Sequence, residues 1–301
     1  MKKQMIRKVR QRSRTTRARR TKVRKRSKFV RKKGTKRLKK ALRVQNVPRK
    51  VLLPTDKRIG VVLSVQNEAQ TLPLVLRELS RLPLHELIII VNGSTDASLS
   101  LARNVPGATV VHYQEPVGHD VGRAIGAKLA TSDILVFVDA DFIIPAERLV
   151  PFVTAVDRGM DVALNNISPY LKPSRSLDRV TYLKEFLNRI LGRPDLRANS
   201  LTAVPHAISR KALDMIGCHQ LMVPPKAQAS AIIKGLVVGA PGSVEVLKAN
   251  RHKAGNVGRM NMVSELIAGD HLEALQFAMD ELGGRLWFSD HGRRRDLLGG
   301  A

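Results

Sequence analysis

Between residues 58 and 142, short runs of Val, Ile and Leu alternate with longer stretches in which apolar residues recur every three or four positions. The first pattern is that of buried strands and the second that of amphipathic helices. RIGVVLSV (58–65), LIIIV (87–91), ATVVHY (108–113) and DILVFVD (133–139) read as strands. Residues 68–82, with Leu72, Leu76, Leu79 and Leu82 on one face, read as a helix. Further helices are expected from an N-cap at Ser94 through Arg103, over 122–130 and over 147–158. Regular strand–helix alternation predicts an α/β fold, with a mostly parallel sheet covered by helices on both faces.

Beyond residue 160 the periodicity weakens. DVALNNIS reads as a strand, residues 177–191 as a helix, RKALDMIG (210–217) as a short helix closed by Gly217, and GLVVGA (235–240) and SVEVLK (243–248) as strands. Residues 263–282 form a last helix, with Leu266, Ile267, Leu275 and Met279 near one stripe. There is no internal repeat.

Charge divides the 301 residues unevenly. Residues 1–50 hold 25 of the 53 Lys and Arg and no acid, so 28 basic residues face 25 acidic ones over 51–301, and the net charge of +28 belongs to the tail. So few apolar residues cannot offset the entropy of ordering, and 1–50 reads as a disordered arm able to bind a polyanion such as nucleic acid, an anionic membrane or an anionic polymer. Residues 51–301 read as one folded, nearly neutral domain. The lone cysteine, Cys218, cannot form an intramolecular disulfide. No run reaches the roughly 18 apolar residues of a membrane-spanning helix, and no apolar stretch of a secretory signal follows the basic N-terminus. A cytoplasmic protein is expected, with peripheral attachment to an anionic surface through the tail.

The chemistry concentrates at VFVDADF (136–142), where an apolar strand ends in two carboxylates one residue apart. Side chains alternate along a strand, so Asp139 and Asp141 leave it on the same side, at the sheet edge where open α/β folds bind ligands. Two hard oxygen donors there suit Mn²⁺ or Mg²⁺, with water and substrate phosphate completing the shell.

Taken with its neighbours, this segment resembles the family 2 glycosyltransferases. VVLSVQNEAQTL (61–72), LIIIVNGSTDAS (87–98), EPVGHDVGRAIGAKLA (115–130) and DILVFVDAD (133–141) follow in the family's order. The resemblance covers about residues 58–252. It implies a GT-A, Rossmann-like fold, with a donor-binding half over about 58–142 and an acceptor-binding half over about 143–301, and a nucleotide-sugar donor, UDP-sugar before others. Asn67, Glu68, Asn92 and Asp96 would then face the nucleoside, and Gly118 and Arg123 the donor. Asp139 would hold ribose or a metal-bound water, and Asp141 the metal. In KANRHKAG (248–255), Arg251 would meet phosphate and His252 would be a further metal ligand.

Two departures from the family pattern matter. Val91 and Asn92 stand where members carry two acids before Gly-Ser, which leaves the donor base open. GCHQLMVPPKAQASA (217–231) lacks the acidic pair that supplies the base in inverting members. Asp195, His206 and His219 are the substitutes to weigh, and neither the catalytic base nor the acceptor is assigned. Two other readings remain: a polyanion- or nucleic-acid-binding protein with a degenerate transferase domain, and a sugar nucleotidyltransferase. The second needs a Gly-rich basic loop after the first strand, where this chain has SVQNEAQ.

Overall fold

Every residue of the first strand except Ser64 is buried, which only a central strand sandwiched between two helical layers explains. The computed structural model describes residues 49–171, 178–246, 262–293 and 297; the tail to residue 48, Arg251 and His252 lie outside the described residues. Seven strands make one sheet: β1 (Ile59–Val65), β2 (Glu86–Asn92), β3 (Thr109–Tyr113), β4 (Ile134–Asp139), β5 (Val162–Asn165), β6 (His206–Ser209) and β7 (Val238–Gly242). Their order is β3-β2-β1-β4-β6-β5-β7, parallel throughout except for β6, which runs antiparallel to both β4 and β5.

Alternate residues of the central strands feed two cores. Val61, Leu63 and Val65 of β1 and Val136 and Val138 of β4 pack with α1 (Leu72–Leu79), α2 (Ser98–Arg103) and α4 (Ala146–Asp157). Val62, Ile90, Leu135 and Phe137 face the other way, onto α3 (Val121–Leu129), α6 (Arg210–Ile216) and α7 (Pro224–Ile233). A third, smaller cluster joins α5 (Arg179–Ile190), α7 and α8 (Met262–Leu282) through Leu187, Ile190, Ala229, Ala274 and Ala278. Helix α3 lies unusually close to the sheet: a Cβ on Gly126 would stand 2.4 Å from Val62 Cγ1, so only glycine permits the approach.

Several expectations need correction. The helix expected over 68–82 is confined to Leu72–Leu79, because Glu68–Thr71 close a turn and Pro73, which lacks an N–H, fits only the first helical turn. Ser94 does not cap α2. Asp96 Oδ1 accepts from the Ser98 N–H, while Ser94 Oγ accepts from Asn67 N–H. Residues 243–246 of SVEVLK have no regular structure, and 247–248 lie outside the described residues. On α8 the buried positions are Ala268, Asp270, His271, Ala274 and Ala278, whereas Leu266 is exposed: small residues let α8 lie close against α5 and α7. Strand β6, four residues long, and α7, buried nearly all round by small residues, carry no periodicity and were not anticipated.

Asn165, fully buried at the end of β5, ties this half together. Its Nδ2 donates to the carbonyls of Val204 and Val244, and its Oδ1 accepts from Val244 N–H.

Candidate active site

In this sheet order the chain winds outward from β1 to β3 and then returns to the other side of β1 with β4, so the crevice between β1 and β4 is where ligands bind in open α/β sheets. Ser64 pairs in register with Asp139 there. Above it opens a cleft of about 250 Å³ whose walls include Glu68, Asn92, Gly118, Arg123, Asp139 and Asp141. Six of the expected site residues from four separate segments thus converge.

Arg123 organises the floor. It sits in the first turn of α3, held against the sheet by the glycine approach, and is only 5% exposed. Its Nη1 lies 2.7 Å from Asp120 Oδ1 and its Nη2 donates to Asp139 Oδ2 at 3.2 Å. Burial alone would pull the guanidinium pKa down, but the charges of Asp120, Asp139 and Asp141 outweigh it and hold the pKa above its ordinary value. Three carboxylates around one guanidinium leave an excess of negative charge. Across from them Asp270 of α8 has its carboxyl pushed up to about 6, first by burial and then by the charges of Asp120 and Glu273, with His119 opposing.

The glycine-rich loop is fixed by Asn92 at the end of β2. Asn92 Oδ1 accepts from Val117 N–H at 2.9 Å and its Nδ2 donates to Gly118 O at 2.8 Å. Gly118 has φ +119°, and a Cβ there would meet Val121 Cγ2 at 2.9 Å, so the loop's shape depends on glycine.

Asn67 and Asp96 join the loops that follow β1 and β2. Asn67, itself at φ 55°, accepts from Thr95 N–H through Oδ1, and Asp96 Oδ2 accepts from Ala69 N–H. Burial tends to raise the Asp96 carboxyl, but hydrogen bonds from the Ser98 hydroxyl and the Ala69 and Ser98 N–H groups hold it below the usual carboxylate range. Both side chains thus accept from loop N–H groups, and neither is among the walls of the cleft.

The proposed substitutes for a base do not reach the cleft walls. His206, on β6, is 1% exposed, stacks on Phe137 with ring centroids 4.9 Å apart, and has its pKa pushed down to about 3 by burial and then by the charge of Arg123. Asp195 is paired with Arg193 at 2.7 Å, which holds its carboxyl below the usual range. His219 lies in the turn Cys218–Met222. Conversely, His119, Gln66 and Pro116 line the cleft without having been anticipated. Asp120 was also missed, although its spacing of three from Arg123 is the helical ion-pair spacing and could have given it away.

The donor set fits a divalent cation in character. Asp139 keeps one oxygen on Arg123, Asp141 lines the same cleft, and the surplus negative charge is what a hard cation neutralises. No group of three potential protein ligands converges among the described residues. A two-carboxylate site of this kind leaves most of the shell to phosphate and water.

Comparison with known proteins agrees with this geometry. Residues 60–214 match the family described as glycosyl transferase family 2. The 4,4'-diaponeurosporenoate glycosyltransferase of Staphylococcus haemolyticus is 29% identical over 212 residues, 64% of this chain and 55% of that protein. The undecaprenyl-phosphate 4-deoxy-4-formamido-L-arabinose transferase of Klebsiella pneumoniae is 28% identical over 181 residues, 56% of this chain and 54% of the other. The chain thus spans about half the length of these curated relatives. Among solved structures, glucosyl-3-phosphoglycerate synthase from Mycobacterium tuberculosis bound to UDP superposes with TM-score 0.54 at 20% identity, covering 73% of this chain and 81% of that one. The same enzyme with Mn²⁺, UDP and glucosyl-3-phosphoglycerate gives 0.52, covering 79% and 82%. At that identity the likeness establishes the fold.

Proposed function

The chain belongs to glycosyl transferase family 2, and from that premise we propose that it transfers a glycosyl group from a nucleoside-diphosphate sugar, UDP-sugar before others, to an acceptor hydroxyl. The observation that carries this reading is the convergence of Arg123, Asp139 and Asp141 in one cleft at the switch point of the sheet. The structural neighbours bound to UDP with Mn²⁺, or with Mg²⁺, support both the donor and the metal.

Asp139 and Asp141 hold the cation through carboxylate oxygens, and His252, on the family resemblance, is the further ligand. When bound, Mn²⁺ or Mg²⁺ supplies positive charge to the departing diphosphate. Arg123 keeps Asp139 turned toward the cleft. Gly118, free of a side chain, lets the loop backbone come close to the donor, and Asn92 fixes that loop from below. Glu68 lines the nucleoside end of the cleft. Asn67 and Asp96 serve the nucleoside indirectly, by joining the two loops beside it. Arg251 adds charge at phosphate; a few kcal/mol of such stabilisation is worth about two to three decades in rate.

The test is nucleoside diphosphate release from a panel of nucleotide-sugars, with and without Mn²⁺, paired with calorimetry of the matching diphosphates. Metal-dependent release or binding of one base is expected. Absence of both would overturn the assignment.

A further inference from the structure

Four aromatic side chains are exposed among the described residues, and all gather along the α5–α8 pair: Tyr182 and Phe186 on α5, Trp287 and Phe288 in the turn after α8. Tyr182, Phe186 and Ile190 follow at four-residue spacing on one face of α5, and the first two rings stack with centroids 6.4 Å apart. Phe186 and Phe288 line an open apolar groove of about 460 Å³ together with Leu275 and Met279 of α8. The Trp287 indole Nε1 reaches to 3.8 Å from where Gly192, just past α5, would carry a side chain. A contiguous patch of this kind is unfavourable in water and marks a surface that something covers.

Composition and charge identify what covers it. Tyr and Trp have an apolar body and a polar tip, and arginine stems lie along apolar surface while the guanidinium stays wet, which is the chemistry of a lipid headgroup boundary. The acids Glu185, Glu265 and Asp290 are paired with Arg189 at 3.6 Å, Arg179 at 2.8 Å and Arg285 at 3.5 Å, and Glu273 with Lys226 at 2.9 Å. Asp280 and Glu281 are what positive charge must outweigh. The sequence supplies it: Arg293, Arg294 and Arg295 follow Trp287 closely, and residues 1–50 carry 25 Lys and Arg without an acid. An apolar patch together with a polybasic segment is the pair of signals that stable attachment to a bilayer requires. We infer that the α5–α8 face bearing Tyr182, Phe186, Trp287 and Phe288 docks on an anionic phospholipid bilayer. The nine helical steps of α8 from Asp270, beside the nucleotide-side loop, to Met279 in the groove span about 14 Å, so the docked face lies close to the cleft.

Trp287 is the only tryptophan in the chain, which makes the test direct. Its emission is followed in the full-length protein as phosphatidylglycerol vesicles or pure phosphatidylcholine vesicles are added, with co-sedimentation and molar mass measured in parallel. Docking predicts a shift to shorter wavelength and loss of quenching by iodide with the anionic vesicles alone. The Tyr182→Ser/Phe288→Ser double variant, both positions exposed, is expected to lower partitioning at least about tenfold while leaving the melting temperature in place. Co-sedimentation without any change at Trp287 overturns the inference, because the basic tail alone then binds. So does an emission already blue and unquenchable in buffer, or one that changes with protein concentration as the molar mass doubles, since the face is then covered by the chain itself or by a second copy.

Discussion

The side-chain amide of Asn92 grips the backbone of the loop around Gly118 with both of its ends, accepting from Val117 N–H at 2.9 Å and donating to Gly118 O at 2.8 Å. A carboxylate at this position could accept the first bond but would set its charge against the Gly118 carbonyl. Asn92→Asp is therefore expected to lower stability by about 1–3 kcal/mol and to weaken metal-dependent diphosphate binding. Urea unfolding and calorimetry with UDP and Mn²⁺ measure the two effects; a variant unchanged in both would show that the loop is fixed by something else.

Asp139 is one of the two carboxylates ion-paired with buried Arg123, so Asp139→Asn should reduce both stability, by about 1–2 kcal/mol, and metal-dependent donor binding. Asp141→Asn should abolish the metal dependence of donor binding. Urea unfolding and calorimetry with UDP and Mn²⁺ measure these effects. An Asp139→Asn variant as stable as the parent would contradict the pairing of Arg123 with Asp139, and unchanged metal-dependent binding in Asp141→Asn would contradict the metal assignment.

At Gly126 two effects oppose. Alanine is favoured over glycine within a helix by about 1 kcal/mol, but its Cβ would stand 2.4 Å from Val62 Cγ1, a stiff side chain of the central strand. Overpacking of this kind costs about 1–3 kcal/mol, so Gly126→Ala should destabilise, and Val62→Ala in the same chain should recover part of the loss. A Gly126→Ala variant more stable than the parent would mean that α3 can lift from the sheet without cost.

Buried titrating groups give the pH dependence its sign. His206 and His271 have their pKa values pushed down to about 3 and about 4, chiefly by burial, so the folded chain binds fewer protons than the unfolded one below pH 6.5 and each histidine removes stability as pH falls from there. Asp270, pushed up to about 6, works oppositely: its charging penalises the fold as pH rises from about 4 through 6, so Asp270→Asn should stabilise the protein at pH 7 by on the order of 2 kcal/mol and much less at pH 4. Melting temperatures of the parent and Asp270→Asn between pH 4 and 8, with NMR of the His206 ring, check this; a His206 imidazole titrating near 6.5 would contradict its burial against Phe137.

The donor half was legible because its signals are local. VVLSV and ILVFVD are too uniformly apolar for edge strands, and the carboxylates follow the second directly. What sequence could not give was pairing across distance. Nothing in HAIS distinguishes a four-residue antiparallel strand from a loop; it is a strand because β4 offers Leu135 and Phe137 as partners to Ile208 and His206. Likewise PPKAQASAII shows no stripe because α7 is buried on nearly every side. At the site, the family resemblance assigned Asn67 and Asp96 to the nucleoside; what it could not show is that their oxygens also accept from loop N–H groups that only the folded chain brings near. Asp270 came from helix α8, more than a hundred residues beyond the strand carboxylates, with no motif around it.

Asn165 has a consequence for how such a chain can change. Strands β5 and β6 are adjacent and antiparallel, so residues 166–205 leave the sheet and return to it at one place, and the Asn165 amide closes that opening by holding Val204. The penalty for closing a loop grows only with the logarithm of its length, about 0.6 kcal/mol per doubling. With both ends anchored at a fixed gate, this stretch can change in length or sequence while the nucleotide-side strands keep their register, provided that the face of α5 packed on α7 and α8 is kept. A graft of the equivalent stretch from another chain, joined at Asn165 and His206, should leave the carboxylates at the end of β4 in place.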